Sequence, residues 1–213
     1  MTPKLHLYIS PGSCALAPHI ILHESSLPFN TTSIATRTGF PTDHLHINPK
    51  GQVPVLLIDD ETVTENLAIL TAIAQLVPEK NLLGTTNLET VRVYEWMSWL
   101  SGKLHGQAFG SFFRPGRFVT AEDAYDDVKT KAVETIGECF RYIEKMLEGR
   151  IWAVGNAFTV VDAYLFVFYR WGAGAGFVMG DLFPNYTRLV HVLAKKDSVV
   201  KAVKAEGIEF FVD

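Results

Sequence analysis

Apolar residues in the first third of the chain come in short runs separated by turn-forming residues. Leu5 to Ile9 is one such run. Ser10-Pro11-Gly12-Ser13 closes it, which predicts a strand handing over to a helix from about Cys14 to Ser25. Phe29 to Ile34 predicts a second strand, and Ala35 to Ile47 a loop with one helical turn. Val53 to Ile58 and Thr62 to Thr64 read as a hairpin, and Glu65 to Leu76 as the helix that closes the unit. Val77 to Leu88 carries Pro78 and Gly84 among polar residues without any period, the mark of a linker. Beyond it, apolar residues recur at helical spacing, predicting helices near Glu89–Leu104, Ala121–Leu147, Val160–Gly172, Asn185–Lys195 and Ser198–Ala205.

The order βαβ followed by ββα is thioredoxin-like. The expected fold is therefore an α/β thioredoxin-like domain over 1–77, a linker over 78–88, and an all-α helical bundle domain over 89–213. In the helical half, Thr159-Val160-Val161-Asp162 precedes Ala163-Tyr164-Leu165-Phe166. This is a variant N-capping box, in which Thr159 accepts from the backbone N–H three residues on and Asp162 reaches back. Asp162 is accordingly assigned to folding and not to acid catalysis.

Composition narrows the function classes. With 213 residues, 48% of them hydrophobic, and a net charge of −4, the chain has the interior of an ordinary globule and no basic surface for nucleic acid. The apolar stretch from Ala163 to Tyr169 is bracketed by Asp162 and Arg170, far short of the roughly 20 residues a membrane span needs. The start of the chain has no apolar signal segment, so a cytoplasmic location is expected. The two cysteines, Cys14 and Cys139, are expected to be free thiols.

The chemistry concentrates around Asn48-Pro49-Lys50-Gly51-Gln52-Val53-Pro54. A Val-Pro bond just before an apolar strand is a candidate cis peptide. In that form Val53 offers its own N–H and C=O to an extended peptide, as in strand addition. Glu65 and Asn66 then fall at a helix start, where free N–H groups hold a carboxylate and Glu65 attracts an amine. Together these features suit a small peptide carrying both charges at one end. Cys14 is expected in the first turn of a helix, whose dipole favours the thiolate and lowers the thiol pKa; the alternative is a small buried core residue. Cys139, set among Ile136, Phe140 and Ile143, reads as core.

These segments resemble the glutathione transferases, most closely the bacterial beta class with its cysteine at the helix start. The likeness includes Ser10-Pro11-Gly12-Ser13-Cys14-Ala15-Leu16-Ala17-Pro18-His19, Glu95-Trp96 with Leu104-His105, Phe113-Arg114-Pro115, and Phe158 to Phe166 with Arg170-Trp171. It covers nearly the whole chain. The resemblance implies glutathione as co-substrate, no metal, a small hydrophobic electrophile as second substrate, a homodimer, and a role in detoxification. It also implies glutathione contacts from Val53, Pro54, Glu65 and Asn66. Sulfur-directed groups would come from Cys14, Ser13 and His105, with Ser13 a rival to Cys14. A lone helical histidine such as His105 is otherwise a packing or surface residue. Phe109, Phe112, Phe113 and Trp171 are the candidate wall of a second-substrate pocket, with a core stripe as the alternative.

Two departures stand out. The chain has Glu65-Asn66 where the family most often carries Glu-Ser or Gln-Ser, and the loop after the second strand lacks the expected lysine, leaving Arg37 as the nearest cation for the glycyl carboxylate. Gly172-Ala173-Gly174-Ala175-Gly176 either widens the second pocket or terminates a helix. Three functions compete: a conjugating transferase, a glutathione-dependent isomerase or disulfide reductase, and a non-catalytic binding protein on the same fold.

Overall fold

A computed structural model of the chain describes residues 2–36 and 39–210. Four strands, β1 (Leu5–Ile9), β2 (Phe29–Ser33), β3 (Val55–Ile58) and β4 (Glu61–Thr64), form one sheet in the order β2-β1-β3-β4. β1 runs parallel to β2, with Leu5 opposite Phe29, and antiparallel to β3, with Tyr8 opposite Val55. The parallel pair requires a crossover, which α1 (Leu16–Ser25) supplies; β3 and β4 need only the tight turn at Asp59, whose φ is 53°. Leu5, Leu7 and Ile9 are buried while His6 and Tyr8 are half-buried, the period-2 alternation of a strand with one core face. α2 (Asn66–Leu76) closes this half, packed on α1.

The helical half follows. α3 (Asn87–Trp99) is capped by Thr86, whose hydroxyl accepts from the Glu89 N–H at 3.2 Å. The helix expected to end at Leu104 does not end there. It continues as a π-helix over Leu100–Phe109 and returns to α geometry in α4 (Gly110–Phe113). Within this stretch Gly106 stands where an added Cβ would lie 3.2 Å from the Ser101 carbonyl, a close approach that glycine permits. α5 (Tyr125–Met146), α6 (Val160–Gly174), the short α7 (Met179–Leu182), α8 (Pro184–Leu193) and α9 (Asp197–Glu206) complete the chain. Of these, α7 has no counterpart in the sequence reading.

α6 is the axis of the molecule, buried along nearly its whole length, and α1, α2, α3, α7 and α8 pack against it. Fully buried side chains such as Phe166 and Phe168 stabilise the fold by about 1.5–3 kcal/mol each. The capping box is present: the Asp162 carboxylate accepts from the Thr159 N–H at 2.8 Å and from the Ala153 N–H at 2.9 Å. Gly172 is required by packing, since a Cβ there would meet the Phe140 ring at 2.5 Å. α1 also packs against α9, so the first and last helices share a face. Among the described residues, no helix is long and apolar enough to cross a membrane, and no cluster of three or more His, Cys, Asp or Glu is placed to hold a metal ion.

Candidate functional site

The turn after β1 positions Cys14. Gly12 adopts a φ of 74°, a conformation that favours glycine, and the Ser13 N–H bonds to the Ser10 carbonyl at 3.0 Å. α1 opens only at Leu16, so Cys14 lies in the turn and not in the helix as expected. Its buried thiol donates to the Val53 carbonyl across 3.7 Å. The expected lowering of the thiol pKa does not occur: burial pushes it up to about 12, against the smaller opposing effects of its own backbone hydrogen bond and Arg114. The magnitudes explain the sign. Charge at a helix N-terminus is favoured by about 0.3–1 kcal/mol, whereas burial shifts ionisable groups by up to 3–5 pKa units. Cys139, also buried, is pushed up to about 11. The Ser13 hydroxyl accepts from the Ala15 N–H at 3.2 Å and closes the turn, which leaves its own O–H able to donate.

The second wall of the site is the loop before β3. The Val53–Pro54 peptide is cis. Asn48 organises the approach, its Nδ2 donating to the Gln52 carbonyl at 2.8 Å and its Oδ1 accepting from the Lys50 N–H at 3.1 Å. Glu65 stands at the start of α2 with a φ of 73°. Its exposed carboxylate is paired with the Lys50 ammonium, which also donates to the Thr64 hydroxyl at 2.7 Å. The Asn66 side chain is buried at the start of α2; its Nδ2 donates to the Cys14 carbonyl at 3.0 Å, and its Oδ1 has no hydrogen-bond partner among the described residues. Arg37 lies outside the described residues. Lys50, not singled out from sequence, is the cation found beside Glu65, and its place within the Asn48 to Pro54 segment was the available signal.

His105 sits on the π-helical stretch. Its Nδ1 pairs with the Tyr164 hydroxyl at 3.1 Å, and its ring lies 5.3 Å from that of Trp171. Burial, reinforced by the Arg114 charge, lowers its pKa to about 4, so the imidazole is neutral at pH 7. Tyr164, within the apolar run after the capping box, is fully buried and its phenol is pushed well above the usual range, chiefly by burial. Neither Tyr164 nor Arg114 was singled out from sequence, although Arg114 affects both Cys14 and His105.

The four aromatic residues divide. Phe113 is 53% exposed and meets Trp171 edge-on at 5.4 Å, and Phe112 packs beside Phe113 at 5.3 Å. Phe109 is fully buried, stacked on Phe168, and is core and not wall. The Trp171 indole N–H donates to the Gly12 carbonyl at 2.8 Å, tying the aromatic cluster to the cysteine turn. A hollow of about 520 Å³ lies elsewhere, between α3 and α5 beside Trp96 and Tyr142. That hollow holds none of the groups with strongly shifted pKa, so chemistry and not volume places the candidate site at the Cys14 turn.

The chain matches known families and structures throughout. Residues 3–75 match the family model of the glutathione S-transferase N-terminal domain, and residues 107–197 that of the C-terminal domain. It is 32% identical to the glutathione S-transferase GstA of Escherichia coli O157:H7 over 210 residues, covering 96% of this chain and 100% of that protein. A sphingomonad glutathione S-transferase solved in complex with glutathione superposes with a TM-score of 0.84 at 35% identity, over 96% of this chain and 100% of the other. A bacterial beta class glutathione S-transferase from Sphingomonas chungbukensis gives a TM-score of 0.84 at 34% identity, again over 96% and 100% of the two chains.

Proposed function

This chain belongs to the glutathione S-transferase family, and on that premise we propose that it is a glutathione transferase joining the cysteinyl sulfur of glutathione to a small apolar electrophile. The observation that carries this reading is the 3.7 Å approach of the Cys14 thiol to the Val53 carbonyl. A peptide paired with the Val53 backbone brings its cysteinyl sulfur beside the Cys14 turn. Glu65, which already binds an ammonium in the form of Lys50, takes the γ-glutamyl amine. The carboxylate beside that amine meets the free N–H groups at the start of α2. Pro54 fixes the loop, and Arg37 or Lys50 supplies the cation for the glycyl end.

Conjugation then needs a glutathione thiolate. Its proton leaves to solvent, the sulfur bonds to the electrophilic carbon, and a leaving group departs with its electron pair or an enone accepts the pair. A Cys14 thiol held protonated serves as a hydrogen-bond donor to that thiolate, the Arg114 charge favours it, and neutral His105 lines the sulfur's surroundings. Ser13 acts through the shape of the turn. Phe112, Phe113 and Trp171 form the apolar side for the second substrate. The same reading makes the protein a homodimer working in cytoplasmic detoxification, two-fold symmetry being the commonest among soluble oligomers.

The test is turnover of purified protein with glutathione and three electrophiles. Conjugation of a haloarene supports the proposal. Reduction of a disulfide or isomerisation of a cis-enone without haloarene turnover replaces it with the corresponding activity, and glutathione binding without any turnover replaces it with a binding protein.

A further inference from the structure

Gly12 has both of its backbone polar groups taken by side chains from the far end of the chain. Its C=O accepts from the Trp171 indole on α6, and its N–H donates to Glu206 Oε2 on α9 at 2.8 Å, across 194 residues of sequence. The Glu206 side chain is fully buried, and its other oxygen pairs with His19 Nδ1 on α1 at 2.9 Å. A buried carboxylate is costly unless paired and hydrogen-bonded. Here it has His19 and the Gly12 N–H, and the charge of nearby Arg170 opposes its own. The Trp171 and Glu206 bonds hold the two peptide units that flank the Gly12 Cα, one from each side, and Gly12 stands two residues before Cys14.

We propose that Glu206 is a positioning residue for the reaction: by holding the Gly12 N–H it sets where the Ser13–Cys14 segment presents its donors to the glutathione sulfur. This rests on the reading that the Cys14 turn faces that sulfur. The geometry makes reach, and not charge, the quantity that matters. Glutamine keeps the length of the side chain and a carbonyl oxygen for Gly12, whereas aspartate keeps the charge but is one methylene too short to bond Gly12 and His19 together.

The experiment compares wild type with Glu206→Gln and Glu206→Asp. Turnover (kcat) is measured together with three further readouts: the pKa of bound glutathione from thiolate absorbance, the affinity for S-methylglutathione, and the rate of Cys14 alkylation without ligand. The expected result is a bound-thiol pKa at least 0.5 unit higher and kcat about tenfold lower in Glu206→Asp, and values within threefold of wild type in Glu206→Gln. Cys14 alkylation is expected to change at least threefold only in Glu206→Asp. S-methylglutathione affinity is expected to be unchanged in both, because the peptide backbone contacts are elsewhere. The reverse order, Gln impaired and Asp normal, would assign Glu206 to charge balance and overturn the proposal. So would a lowered melting temperature with all three readouts at wild-type values. If wild type itself fails to bind S-methylglutathione, the transferase reading falls and this proposal with it.

Discussion

Asn66 donates through Nδ2 to the Cys14 carbonyl at 3.0 Å, a buried bond that fastens the start of α2 to the turn carrying the thiol. With Cys14 bonded in turn to the Val53 carbonyl, three segments far apart in sequence are tied at one corner. Glu65, immediately before Asn66, keeps the positive φ that this fastening accompanies.

The state of Cys14 is the first consequence. Its thiol, pushed up to about 12, stays protonated through neutral pH in the ligand-free protein. Alkylation followed by mass spectrometry across pH is expected to give slow modification at pH 7.4 and a rate still rising at pH 9.5. A plateau below pH 8.5 would show a thiolate, contrary to this account.

Glu65→Ala removes the exposed carboxylate that now holds Lys50. Glutathione binding is expected to weaken by roughly 1.5–3 kcal/mol, the range for a hydrogen bond to a charged group. Titration calorimetry measures this directly, and unchanged affinity would take Glu65 out of the site.

His105 contributes to both rate and pH dependence. In His105→Ala, turnover is expected to fall about tenfold, some 1.4 kcal/mol, with glutathione affinity nearly unchanged. Its folded pKa near 4 lies below the ordinary 6.5, so the unfolded chain binds more protons between these values. The stability it contributes is complete above pH 6.5 and is lost as pH falls toward 4. Melting temperatures should therefore drop less steeply over that window in His105→Gln than in wild type; parallel curves would contradict the assignment.

Asp162 has the opposite sign. Its carboxyl is raised to about 6 from 3.8 by burial, so the folded state binds the extra proton and this contribution fades as pH rises from 3.8 through 6. Asp162→Ala also leaves the Ala153 and Thr159 N–H groups without their acceptor, at about 1–3 kcal/mol for each buried donor. Chemical denaturation is expected to show this loss in full. Full stability in the variant would mean that the box is dispensable.

Light scattering tests the assembly. The expected mass is twice the 23.7 kDa of one chain at micromolar concentration, and the monomer mass would exclude the two-fold dimer.

What could be read locally in the sequence was governed by short-range rules. β1 was legible because alternation and the Pro11-Gly12 turn are spelled within nine residues, and its bounds agree with the structure. The capping box was legible because a helix start is satisfied by its own first turn. The cis Val53–Pro54 peptide and the helix start at Glu65 were legible for the same reason. The winding of Leu100–Phe109 was not, because apolar spacing looks alike in α and π geometry over so short a run.

Ionisation and pairing belonged to the tertiary structure. Cys14 looks like an activated thiol when only its neighbours in sequence are counted; the fold reverses the sign by covering it, and burial outweighs the helix dipole. The bond from Asn66 to the Cys14 carbonyl joins residues 52 apart and could not be read from either segment alone. Lys50 meets Glu65, Tyr164 meets His105, and Glu206 meets Gly12 only because the chain folds back over tens to hundreds of residues. The sequence by itself determined the strands, most of the helices and the turn at Val53–Pro54, since hydrogen bonds to near neighbours decide those. Which groups are buried, charged or already engaged depended on distant segments arriving, because desolvation is a property of everything packed around a side chain.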